Sequence, residues 1–152
     1  MSDKPNTEAE IATIKEVIAS NIGWAATKDK DLLYTSVAQD ENLFYFSPRN
    51  DGTIHGFKAF TELTESFFML DDFKAIRFEI RDLHVELSQS GDVAWYHARL
   101  DDYNEWNGQP ANWEDVRWTG VLEKRDGRWV IVQMHFSSAT DRAPAEEESS
   151  AG

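Results

Sequence analysis

Between residues 116 and 137 the chain reads VRWTGVLEKRDGRWVIVQMHFS, and no other stretch constrains the fold as strongly. Asp126-Gly127 lies between two apolar alternations. A two-residue hairpin turn needs φ > 0 at both central positions, which Asp-Gly supplies. Such a turn pairs Arg125 with Arg128 and runs outward through Leu122–Ile131, Gly120–Gln133, Trp118–His135 and Val116–Ser137, all on one face. Thr119, Val121, Val130, Val132, Met134 and Phe136 fall on the other. One face is apolar with polar groups set into it and the other is almost purely apolar, so both are expected to be covered.

The 152 residues suit one domain with a real core. Hydrophobic residues make up 41% and charged residues 28%, with six Trp and nine Phe, a globular balance. A net charge of -13 argues against nucleic acid or an anionic membrane as partner, because both select clustered Lys and Arg. The absence of cysteine excludes disulfides, thiolate catalysis and zinc–thiolate sites. No apolar run approaches the ~20 residues of a membrane span. The polar start MSDKPNTEAE is unlike a secretory signal, so a cytoplasmic protein is expected. Residues 1–6 and the acidic stretch 139–152 are expected to be disordered, leaving one domain over 7–138.

Thr7 and Glu10 have the spacing of a capping box, and Ile11, Ile14, Ile18, Ile22 and Ala25 mark a helical stripe widened by Val17 and Trp24. A second helix carries Leu32, Leu33 and Val37 behind a cap at Asp29 or Asp31. NLFYFS at 42–47 reads as a strand, and a third helix follows Gly56. From Phe73 the period becomes two. Ile76, Phe78 and Ile80 alternate in one phase and Leu83, Val85 and Leu87 in the other, which predicts a bulge near Arg81-Asp82 in a bent sheet. Helices followed by long antiparallel strands make an α+β fold, with helices on one face of a strongly curved sheet.

No metal-ligand spacing, phosphate loop or nucleophile motif is present, and no cofactor is implied. In residues 92–103, parity separates Trp95, His97 and Arg99 from Ala94, Tyr96, Ala98 and Leu100. Matching the small apolar set to the Val/Met/Phe face places Trp95, His97, Arg99, Trp118, Gln133 and His135 together on the concave side. There they predict a small-molecule pocket. His135 and His97 are the candidate acid–base pair. Arg99 and Gln133 would orient an oxygen-bearing group, and Trp95, Trp118, Tyr45 and Trp24 would form walls. Val121, Val132, Met134, Phe136 and Tyr96 are expected on the outer face, against a second copy. The acidic pairs Asp101-Asp102 and Glu114-Asp115 read as a solvated rim.

GDVAWYHARL at 91–100, followed by RWTGVLEKRDGRWVIVQMHFS at 117–137, resembles the SnoaL-like branch of the nuclear transport factor 2-like superfamily. The pattern GD-x-A, then RDG-x-W-x-x-V-x-x-H-x-S, is also similar to the association domain of calcium/calmodulin-dependent kinase II. The resemblance spans roughly residues 11–137 and implies a cone-shaped α+β barrel, three helices wrapped by a curved sheet, dimeric through its outer face. Relatives often carry V-H-x-H-x-S in the last strand, where this chain has Val132-Gln133-Met134-His135-Phe136-Ser137. Gly120 falls where a pocket arginine of the kinase domain would lie, while Arg99 matches another. The steroid-isomerase base has no counterpart in Phe44-Tyr45-Phe46. Two functions follow as expectations: a cofactor-independent acid–base enzyme of isomerase, cyclase or hydro-lyase type, or a non-catalytic ligand-binding or assembly module.

Overall fold

The computed structural model describes residues 6–49 and 51–140. The disorder expected for residues 1–5 and 141–152 lies outside the described residues. Three helices, α1 (Thr7–Gly23), α2 (Lys30–Thr35) and α3 (Phe57–Leu63), accompany seven strands. The long strands are β3 (Phe73–Leu87), β4 (Val93–Trp106), β6 (Trp113–Arg125) and β7 (Arg128–Ser137); β1 (Phe44–Phe46), β2 (Ile54–His55) and β5 (Gln109–Pro110) are short. A 3-10 turn, Trp24–Ala26, continues α1, and a π-helical turn, Thr64–Phe68, continues α3. Among the described residues no helix is long and apolar enough to cross a membrane.

Local chemistry sets the helix ends. Thr7, the expected cap, is instead the first helical residue. Asn6 caps α1 through Oδ1, which accepts from the Ala9 amide at 3.2 Å. Glu10 is thereby released from a capping box. It accepts from Lys124 Nζ and Trp129 Nε1, both at 2.7 Å, and pins the first turn of α1 to the β6–β7 hairpin. The Lys124 contact, then that of Trp129, holds this carboxyl below its ordinary range. Asp29 caps α2 as expected, accepting from the Leu32 amide at 3.2 Å.

The sheet order is β2-β1-β7-β6-β4-β3, with β5 paired to β4. The long strands pair antiparallel, but β1 joins β7 in parallel, so the sheet is mixed rather than purely antiparallel. The predicted slip in β3 is present: the register shifts between Arg81 and His84, where Asp82 takes φ 56°. The register also shifts where no slip was expected, between Ala75 and Arg77 in β3, between Leu100 and Asp102 against β6, and in β7. Arg125 pairs with Arg128 and Leu122 with Ile131, as the Asp-Gly turn requires. Val121 then pairs with Gln133, so Val132 is bulged and every later pair moves by one. Trp118 therefore faces Phe136 rather than His135, and Thr119 faces His135.

That one-residue shift lets Trp129 and Ile131, at odd positions, share the inner face with Met134 and Phe136, at even ones. The helices contribute Ile14, Ile18, Trp24, Leu33 and Phe60 to the core. They meet Ala94, Tyr96, Leu100, Val116, Trp118, Leu122, Ile131, Met134 and Phe136 from the sheet. On β6 the helices bury the face expected to be concave, Val116, Trp118, Gly120 and Leu122, whereas on β4 and the end of β7 the assigned faces are reversed: Ala94, Tyr96, Leu100, Met134 and Phe136 lie inside. Burial of apolar area decides the matter, because the helices turn a mainly apolar surface to the sheet.

Candidate functional site

Two registers separate the expected pocket residues onto opposite sides of the sheet: the bulge at Val132 turns Gln133 and His135 outward, and the β4–β6 pairing sets Trp95, His97 and Arg99 beside Val121, Thr119 and Arg117. Trp118, Tyr45 and Trp24 are buried inside. Trp95, His97, Arg99, Gln133 and His135 face outward, and no helix among the described residues covers them. Of the residues expected on a dimer surface, Val121 is outward and Val132 is the partly buried bulge residue, whereas Met134, Phe136 and Tyr96 belong to the core.

Inside, the aromatic residues form one connected surface. The Trp118 ring stacks on Phe136 at 5.3 Å, Phe136 meets Tyr45 at 6.0 Å and Trp113 at 5.0 Å, and Tyr96 stands edge-on to Trp118 at 5.4 Å. Two polar atoms in this surface, Tyr96 Oη and Trp118 Nε1, are buried without a hydrogen-bond partner. Burial pushes both the Tyr96 and Tyr45 phenols above their ordinary range, so neither ionises near neutrality. Gly120 makes room for Tyr96: a Cβ there would lie 2.5 Å from the Tyr96 hydroxyl and 2.7 Å from the Gln133 carbonyl oxygen.

The inner surface also holds a carboxyl that the rim reading overlooked. Along β4, Leu100 and Asn104 are buried, and Asp102 stands between them on the same face. Its cross-strand neighbours are Phe78 on β3 and Trp113 on β6. Burial raises this carboxyl to about 6, against an opposing hydrogen bond from Asn104. The signal for it was in the sequence: the alternation Ala94, Tyr96, Ala98, Leu100 extends directly to Asp102.

Asp101, one residue earlier, points the other way. Arg81 grips it through Nε at 3.0 Å and a terminal nitrogen at 3.2 Å, and also reaches Asp115 at 3.0 Å. The Asp115 amide donates to Asp101 at 2.7 Å, and Arg99 reaches Asp115 at 3.3 Å. Arg81 first of all holds both carboxyls below their ordinary range. Arg99 is thus engaged in an outer-face network. Beside it, Trp95, Thr119, Val121, Gln133 and His135 frame a shallow notch of about 230 Å³ over the Gly120 backbone. Among the described residues no group of three His, Asp or Glu side chains converges as a metal site.

The comparisons agree with this architecture. The model of the SnoaL-like domain matches residues 14–141. A nuclear transport factor 2-like superfamily protein from Salmonella enterica serovar Typhimurium LT2 superposes with a TM-score of 0.74 at 19% identity, covering 88% of this chain and 94% of that one. A hexachlorocyclohexane dehydrochlorinase, LinA type 2, gives 0.69 at 15% identity over 86% and 85% of the two chains. The association domain of the calcium/calmodulin-dependent kinase II of C. elegans gives 0.64 at 20% identity over 86% and 97%. No curated protein matches by sequence. These likenesses establish the cone fold, and the family match establishes that the chain belongs to the SnoaL-like domain family.

Proposed function

We propose that this domain binds a small, partly apolar molecule against the inner sheet surface around Asp102, and that Asp102 gives or takes a proton there. The observation that supports the reading is an inward carboxyl, flanked by Phe78 and Trp113, that burial raises to about 6. General acid–base chemistry is most effective when the group titrates near the working pH, and it requires no cofactor. This reading gives Tyr45, Trp118 and Trp24, all in the buried core, the part of apolar wall, and gives none to His97 and His135, which face the outside. The dehydrochlorinase among the structural relatives is an enzyme on the same fold, which fits this reading without assigning its reaction. Titration with N-phenyl-1-naphthylamine, a neutral apolar fluorophore, tests it. Affinity is expected to fall as pH rises through about 6, and Asp102→Asn to remove that dependence. A pH-independent affinity in the unsubstituted protein refutes the reading.

A second reading, self-association, is supported by the outer face. Trp95 is 47% exposed beside the notch, and Phe46 is 44% exposed against His135. Exposed aromatics around a concavity mark contact surfaces more often than solvent-facing ones. Sedimentation velocity is expected to give a dimer for the unsubstituted chain and a folded monomer for Val121→Glu. A dimer that survives this substitution excludes the face.

A further inference from the structure

We infer that the outer sheet face closes on a second copy of this chain and that protonation of a row of histidines opens it again. The inference rests on the self-association reading and adds its regulation. His84 pairs with His97, His97 with Thr119, Thr119 with His135, and His135 with Phe46, so one row crosses β3, β4, β6, β7 and β1. Three of the four histidines of the chain stand in it. The His84 and His97 rings stack with centroids 5.3 Å apart. All three imidazoles are exposed, and no helix among the described residues packs over them.

Symmetry argues for a second copy as the occupant. The notch over Gly120 has Trp95 on its β4 side and Gln133 and His135 on its β7 side. A twofold axis through the notch carries the Trp95 of one copy onto the β7 side of the other, so one exposed side chain fills each half of the joint. Charge argues the same way. The groups facing the row are Glu79, Arg81, Asp82 and Glu86 from β3, Arg99 and Asp101 from β4, Asp115 and Arg117 from β6, and His55 from β2. Three guanidiniums against five carboxylates leave this face with a small share of the chain's net charge of -13. Two copies therefore meet here with little net repulsion.

Acidification reverses that balance. Each copy gains as many as three positive charges in the row, one strand-step from Arg81, Arg99 and Arg117 and facing the same set across the joint. Glu86, bonded to His84 Nε2 at 2.5 Å, is the carboxylate in contact with the row and compensates one of them. Closing the interface over imidazolium costs desolvation as well as repulsion, whereas neutral imidazole costs little. Bulk charge predicts the opposite sign. Lowering the pH brings the strongly acidic chain nearer to neutrality, which by itself favours association.

Sedimentation velocity on the full chain at about pH 8 and about pH 5.5, either side of the ordinary histidine range, decides between them. The expected result is a dimer at the higher pH and a dissociation constant at least about tenfold larger at the lower, with near-UV circular dichroism unchanged. The triple variant His84→Gln, His97→Gln, His135→Gln is expected to remain dimeric at both. Dimerisation of equal or greater strength at low pH overturns the inference and leaves the self-association reading standing. Low-pH dissociation that persists in the triple variant, or that accompanies loss of the near-UV signal, overturns it as well. A monomer at about pH 8 removes both.

Discussion

Gly120 shows how one missing side chain organises the inner face. Any Cβ at this position meets the Tyr96 hydroxyl at 2.5 Å and a backbone oxygen at 2.7 Å, and only the first can move aside. Gly120→Ala is therefore expected to destabilise the fold by about 2–4 kcal/mol in denaturant titration, since overpacking a buried site against backbone allows little relaxation. Tyr96→Phe removes a buried hydroxyl that has no partner, and is expected to stabilise by about 1 kcal/mol in the same measurement. A loss of stability instead would show that the hydroxyl is satisfied in solution. At this scale the sequence was legible where parity could be followed. Tyr96 and Leu100 belong together, and Asp102 follows from them. The role of Gly120 was not legible, because it depends on a ring of the neighbouring strand that only the β4–β6 register brings opposite it.

The elements themselves were largely readable. The cap at Asp29, the turn at Asp126-Gly127 and the slip in β3 each depend on neighbours in sequence. The bulge at Val132 was missed although it leaves the same trace as the slip in β3. Apolar positions run 129, 131 and then 134, 136, a change of phase within the continuous apolar run Val130-Ile131-Val132. Such a run fits either phase, so the turn alone appeared to fix the register all the way to Ser137. One bulged residue sent Gln133 and His135 outward, and the β4–β6 register, which pairs Tyr96 with Gly120, put Trp95, His97 and Arg99 on the outside with them. Short β1 and β2 were partly legible, but their pairing was not. The parallel join of β1 to β7 and the bridge from Val37 to Ile131 arise from contacts far apart along the chain.

For the whole molecule, opposite carboxyl shifts shape the dependence of stability on pH. Asp101, Asp115, Asp40 and Glu10 are held below their ordinary range, Asp101 and Asp115 mainly by Arg81, Asp40 by the Asn42 amide and Glu10 by Lys124. Their contribution is complete above the ordinary carboxylate range and is lost as pH falls through the lowered values. Asp102 acts in the other direction. The folded protein holds its proton more tightly than the unfolded chain does, so that contribution is present below the unfolded value of 3.8 and is lost as pH rises to about 6. Asp102→Asn is accordingly expected to raise stability at about pH 7 by roughly 1–3 kcal/mol and to leave it almost unchanged near pH 4. Thermal melts across that window check the sign. The position of β7 has a separate consequence, for the order in which the protein can be made. It is the last strand among the described residues, yet it lies inside the sheet and pairs with β6 on one edge and β1 on the other. Until residue 137 has left the ribosome, β1 has only the two-residue β2 to pair with, and its other edge stays open. The N-terminal half must therefore wait, its apolar stripe exposed, for the C-terminal half to be synthesised.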